Sequence, residues 1–179
     1  MPRTSTLLRR SAAIALAMLV GGCGLFSRGE KEPACPRAQI VAETASVTKF
    51  AGGGSQDLSA IAFDGRLEGI EARCSYDKAG VNIELRLQVG ATRGPADRTR
   101  RVDLDYFVAV MDPEGNIRAK EQFQAPFQFA DERSRVSRIE ELQQRIPLAD
   151  RARGAGYQIL AGFQLSAEEL AYNRSRPRQ

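Results

Sequence analysis

One carboxylate pair, three thiols and two loops carry the residue types that could do chemistry in this 179-residue chain. Asp103 and Asp105 stand two apart in a strand-like run, so both side chains face the same way. Such a pair could share acid–base work. In glycoside hydrolysis, however, the two carboxylates flank a cleft. Adjacent acids on one wet face are ordinarily just solvated. Gly52-Gly53-Gly54 has the glycine density of a phosphate loop. It lacks the Lys-Ser/Thr and the amphipathic helix that must follow, and reads as a flexible loop. Asp112-Pro113-Glu114-Gly115-Asn116 alternates oxygen donors. A calcium loop needs twelve residues closed by a bidentate Glu, and none fits, so the segment reads as a turn. The chain has no histidine. That removes Ser-His-Asp and Cys-His nucleophiles and histidine zinc sites. No metal and no cofactor is expected.

The N-terminus carries a different kind of signal. Met1–Arg10 holds three arginines and no acid, and Ser11–Val20 is small and apolar throughout. That run is too short to span a bilayer. A charged head, a short apolar run and small residues before a cut describe a signal peptide over residues 1–22. Val20-Gly21-Gly22-Cys23 resembles the lipobox of bacterial lipoproteins, with Val20 and Gly21 in place of the commoner Leu and Ala or Ser. The resemblance implies cleavage before Cys23 and lipidation of its thiol by acyl chains such as palmitate. Each buried CH₂ contributes about 0.8 kcal/mol, so several chains on one cysteine anchor far better than one. Gly24 is not the Asp that retains related lipoproteins at the inner membrane, which implies the outer membrane. The competing readings are an ordinary secretory signal, or a buried apolar helix followed by a chance cysteine. Residues 23–34 are polar, with Gly and Pro, and read as a tether.

Charge is read after that cut. The whole chain has 26 Lys+Arg against 22 Asp+Glu, a net +4. Removing Arg3, Arg9 and Arg10 from the 26 leaves 23 basic groups against the same 22 acidic ones. Arg174, Arg176 and Arg178 cluster at the C-terminus. A body this close to neutral lacks the electrostatic footprint of nucleic-acid binding. Cys35 and Cys74 remain once Cys23 is assigned to lipid. In an oxidising compartment the two most simply pair. The bond closes a loop of about 40 residues, on the order of 4 kcal/mol in the chain-entropy model. It ties the start of the first strand to the end of the second. A metal pair would lack further ligands.

The elements that position these residues are strands. Gly80–Val89 alternates without a fault: Val81, Ile83, Leu85, Leu87 and Val89 face one way and Asn82, Glu84, Arg86 and Gln88 the other. Gln39–Phe50 reads as the first strand and Ala60–Tyr76 as the second. Parity breaks between Leu67 and Ile70, and with Gly65 and Gly69 in the same stretch a bulge is expected there. A polar crossover over Ala91–Arg100 leads to strands at Val102–Val110 and Ile117–Phe129. On the latter, Ile117, Ala119, Phe123, Ala125, Phe127 and Phe129 share a face. Those aromatics could line a ligand groove, and at strand spacing they are more often core. Arg135–Leu148 fits a helix through Val136, Ile139, Leu142 and Ile146, or a strand through Leu142, Ile146 and Leu148. Strands on both sides favour a strand. Tyr157–Leu165 is the last strand. Ser166 and Glu169 form a capping box for a short helix, Ala167–Tyr172. Residues 174–179 read as a basic disordered tail.

About seven strands with short turns describe an all-β antiparallel sandwich of immunoglobulin or fibronectin-III type over residues 35–173. The body resembles small proteobacterial envelope lipoproteins at Cys35-Pro36, Cys74-Ser75-Tyr76, Arg93-Gly94-Pro95, Gly162-Phe163-Gln164-Leu165 and Tyr172-Asn173. The resemblance implies no activity. The expected function is a non-enzymatic interaction or accessory module at the periplasmic face of the outer membrane. Its partners would be the membrane, through the lipid, and an envelope protein or the cell wall. The Arg93-Gly94-Pro95 loop and a wet face around Glu84, Arg86, Arg118 and Lys120 are the candidate contact surfaces. Ordinary solvated surface is the plainer reading of both. The alternative is a small-ligand binder or carboxylate-dependent envelope enzyme, which requires a concave pocket around Asp103 and Asp105.

Overall fold

The computed structural model describes residues 32–52 and 56–176. The signal segment, Cys23, most of the tether, Gly53, Gly54 and residues 177–179 lie outside the described residues. Among the described residues the chain forms two four-stranded sheets. The first holds β1 (Arg37–Ile40), β8 (Gln158–Phe163), β5 (Arg101–Met111) and β6 (Ile117–Gln128), in that order. The second holds β2 (Ser46–Phe50), β3 (Ile61–Asp77), β4 (Gly80–Arg93) and β7 (Arg135–Pro147). Every pairing is antiparallel except β1 with β8. The all-β two-sheet sandwich expected from the alternation is what the chain forms.

Among the described residues the strands number eight because Gln39–Phe50 is not one strand. A 3-10 turn at Ala42–Thr44 breaks it, with Thr44 donating from both its amide and its Oγ1 to the Val41 carbonyl. Ala and Glu have little strand preference, so the turn wins there. It carries the chain from β1 in the first sheet to β2 in the second. This relocates the disulfide. Cys35 and Cys74 are bonded with Cα atoms 5.8 Å apart. Cys35 enters β1 of the first sheet and Cys74 lies on β3 of the second, so the covalent link crosses the sandwich.

The core forms on β4. Val81, Ile83, Leu85, Leu87 and Val89 are at most 1% exposed. They face Leu104, Tyr106 and Val108 of β5 and Ile159, Ala161 and Phe163 of β8, all buried. Full burial of each such aliphatic side chain contributes about 1.5–3 kcal/mol. The expected bulge is present: the register of β3 against β4 slips between Leu67 and Gly69, leaving Glu68 as the extra residue. Arg135–Pro147 is a strand, as expected. Phe123, Ala125, Phe127 and Phe129 pack inward, but Ile117 is 53% exposed. The first six residues of β6 are exposed on both faces, so its inward pattern is filled only in the second half. The aromatics of β6 are core.

The C-terminal helix α1 runs over Ala167–Ser175, three residues further than Tyr172. Its capping box is complete: the Glu169 amide donates to Ser166 Oγ at 3.2 Å and the Ser166 amide to Glu169 Oε2 at 2.8 Å. The extension has a cause. Asn173 Nδ2 donates to the Glu43 and Ser46 carbonyls, and the Arg174 guanidinium pairs with Glu43 at 2.7 Å. Arg174 therefore belongs to an ordered helix, not to a disordered tail. Among the described residues, no helix is long and apolar enough to cross a membrane.

Candidate interaction surface

The loop that leaves β4 is built inward. Arg93 Nε donates to Asp97 Oδ2. The Asp97 side chain is fully buried, and its Oδ1 also accepts from the Thr99 amide at 2.7 Å and the Arg100 amide at 3.0 Å. Gly94 donates its amide to the Ala62 carbonyl at 2.7 Å. A Cβ at Gly94 would lie 2.1 Å from the Ile61 carbonyl oxygen, so only glycine lets the loop lie this close to β3. Arg93 and Gly94 thus fasten the end of the sheet, and only Pro95 of the expected contact loop is exposed. Burial alone would push the Asp97 carboxyl up. The Thr99 amide, the Arg93 guanidinium and the Arg100 amide override it and hold the pKa at about 2, below the ordinary 3.8.

A folded-state value below the unfolded one stabilises the fold above pH 3.8 and ceases to do so as pH falls toward 2. The expected result is a melting temperature that drops between about pH 4 and 2 and a shallower drop in Asp97→Asn. Thermal unfolding of both proteins across that range checks this. Identical slopes would remove Asp97 from the acid response.

The four wet-face candidates do not share a face. Glu84 and Arg86 lie on the outer face of the second sheet, where β3, β4 and β7 run side by side. There Arg86 sits between Glu71 (3.9 Å) and Glu141 (3.6 Å), along an open groove of about 610 Å³. Lys120 belongs to the first sheet, with its ammonium 4.4 Å from the centre of the Phe107 ring. Arg118 reaches Asp112 of the β5–β6 turn at 4.0 Å. The strand pattern alone could not tell which sheet each strand would join. Asp112 is committed to that turn, its Oδ1 accepting from the Asn116 amide at 2.8 Å. Asp103 and Asp105 are exposed, and Asp105 accepts from Gln124 Nε2 at 2.9 Å. Neither lines either of the two grooves on the second sheet's outer face. Among the described residues, no three Cys, Asp or Glu side chains come together as a metal site.

Two charged constellations went unforeseen. The bulge residue Glu68 lies flat across β4 and binds the far strand. Its carboxylate accepts from Arg135 and Ser137 of β7 and, at 2.7 Å, from Gln88 of β4. A Cβ at Gly90 would sit 2.4 Å from Glu68 Oε1, so Gly90 opens the path. Burial would raise the Glu68 carboxyl, but Arg135, Ser137 and Gln88 together lower it. Glu68 and Arg135 then line a second groove of about 570 Å³, rimmed by Arg66, Arg174 and Arg176. The broken parity at Leu67–Ile70 was the available signal for Glu68. The other constellation lies on the inward side of β7, where Arg138 and Glu140 form an ion pair at the sandwich rim. Tyr106 donates its hydroxyl to Glu140 Oε2 at 3.3 Å. Burial, and then the Glu140 charge, raise the Tyr106 hydroxyl well above its ordinary value. No family model, no curated protein and no solved structure matches the chain.

Proposed function

We propose that the chain is a lipid-anchored envelope protein whose sandwich works as a non-enzymatic interaction or accessory module at the periplasmic face of the outer membrane. The observation that carries the reading is the Cys35–Cys74 bond across the two sheets. Structural disulfides persist in oxidising compartments and are rare where thiols are kept reduced. This agrees with the export signal and with Cys23 as the lipid acceptor that signal offers. The module reading draws on the second sheet's outer face, which carries two open grooves; the one along Arg86 is lined by charged side chains in weak, exposed pairs. Pairs of that kind contribute about 0–1 kcal/mol and exchange partners cheaply.

Cys23→Ser is expected to abolish acyl labelling and to move the protein from the membrane pellet to the soluble fraction. Fractionation of the host envelope with lipid labelling measures both. Unchanged acylation and unchanged sedimentation would end the lipoprotein reading. Cross-linking of the wild-type protein in intact envelopes then separates a protein partner from the cell wall.

A further inference from the structure

Four strands edge the two sheets, and three of them are blocked. β1 has only four residues. β2 is covered by α1, where Glu169 pairs with Lys49 at 2.8 Å and Tyr172 packs edge-on against Phe50. β6 carries Lys120 and Pro126, and proline has no N–H to offer. These are the ordinary guards of a sheet edge. β7 lacks them. It is thirteen residues long, with no lysine and no proline before its last residue. Near its middle Ile139 is 50% exposed.

We propose that β7 is a self-association edge: two copies of the chain join β7 to β7, antiparallel, about a twofold axis at Ile139. The charge pattern selects both the partner and the register. Directly opposed residues of an antiparallel pair lie on the same face, in contact. About Ile139, Arg138 of each copy opposes Glu140 of the other, and Val136 opposes Leu142. Two opposite-charge pairs then flank an Ile139–Ile139 contact. Moving the axis one residue either way sets Arg138 against Arg138 or Glu140 against Glu140. Inward charges usually protect an edge; here they reject only the wrong registers. Self-complementarity of this kind is what a twofold interface requires. Arg138 and Glu140 are already paired within one copy, so association extends an existing pair into a ring of four charges and strands no lone charge. The inference is independent of where the chain is located.

Sedimentation of the full chain in mild detergent, over a rising concentration series, is expected to show a monomer–dimer equilibrium. A monomer at every concentration would overturn the proposal. Arg138→Glu and Glu140→Arg each create like-charge oppositions and should each weaken dimerisation about tenfold or more. An equimolar mixture of the two variants restores opposite charges across the axis and should recover the dimer. A mixture that stays as weak as its components would also overturn it. Should either variant fail to fold, Ile139→Cys remains. Its thiols meet at the axis, so mild oxidation should give a covalent dimer. Leu58→Cys, 74% exposed and far from β7 in sequence, is the control for random collision. Equal cross-linking of the two variants would sink the proposal, including the case in which β7 instead takes up a foreign extended peptide.

Discussion

Leu85→Ala is expected to destabilise the domain by about 2–5 kcal/mol, the cost of lost burial plus an unfilled cavity. Leu85 is 1% exposed at the centre of β4, opposite Ala72 on one side and Leu142 on the other. Close-packed neighbours on three sides leave little room for collapse. The next residue makes the comparison sharp. Arg86 is nearly half exposed and pairs only with exposed acids, so Arg86→Ala should cost no more than about 1 kcal/mol. Denaturant unfolding of the two variants beside the wild type measures both. A one-residue slip of β4 would exchange the two costs, because every side chain would change face. Equal losses at both positions would contradict a sheet with one dry face and one wet face.

Removing the cross-sheet bond should have an effect of similar size. Cys35→Ala/Cys74→Ala is expected to lose about 2–5 kcal/mol, because the unfolded chain regains the freedom of a loop spanning 39 positions. Reductant added to the wild type should lower its unfolding midpoint to that of the double variant. The double variant itself should not respond to reductant. A wild-type midpoint indifferent to reductant would mean that the bond contributes nothing, or does not form.

How much of this was legible in the sequence follows from where the hydrophobic signal was clean. β4 could be read residue by residue, since its five inward side chains alternate with polar ones and a half-buried strand demands that. The bulge was legible too, because an extra residue must break parity. β7 was ambiguous for a reason now visible. Its inward positions include Arg138, Glu140 and Gln144, while apolar Ile139 points out, so its apolar residues mimic a helical stripe. The split of Gln39–Phe50 was hidden, because a three-residue 3-10 turn leaves no mark on a run rich in β-branched residues. The grouping of Glu84, Arg86, Arg118 and Lys120 into one face fails at the next level up. Glu84, Arg86 and Lys120 do face water, as alternation requires. Which strands share a sheet is decided by pairings far apart in sequence, and alternation carries no record of them. Arg93 shows the same limit: its place in the Arg93-Gly94-Pro95 loop made it a candidate contact, but Asp97, four residues on and buried, holds its guanidinium.

The parallel pairing of β1 with β8 sets an order of assembly. Gln39 and Gln158, joined side chain to side chain at 2.8 Å, are 119 residues apart in the chain. A polypeptide delivered N-terminus first therefore presents β1 long before its partner exists. β8 lies between β1 and β5, so the first sheet stays open until nearly the last residue has arrived. The β3–β4 ribbon needs only the first half of the chain, and Cys74 is already part of it. Oxidation at that moment would moor the entry to β1 beside the ribbon while the rest of the chain is still emerging. When β8 arrives, the long loop it must close has already been shortened by the mooring, and with it the entropy that closure costs.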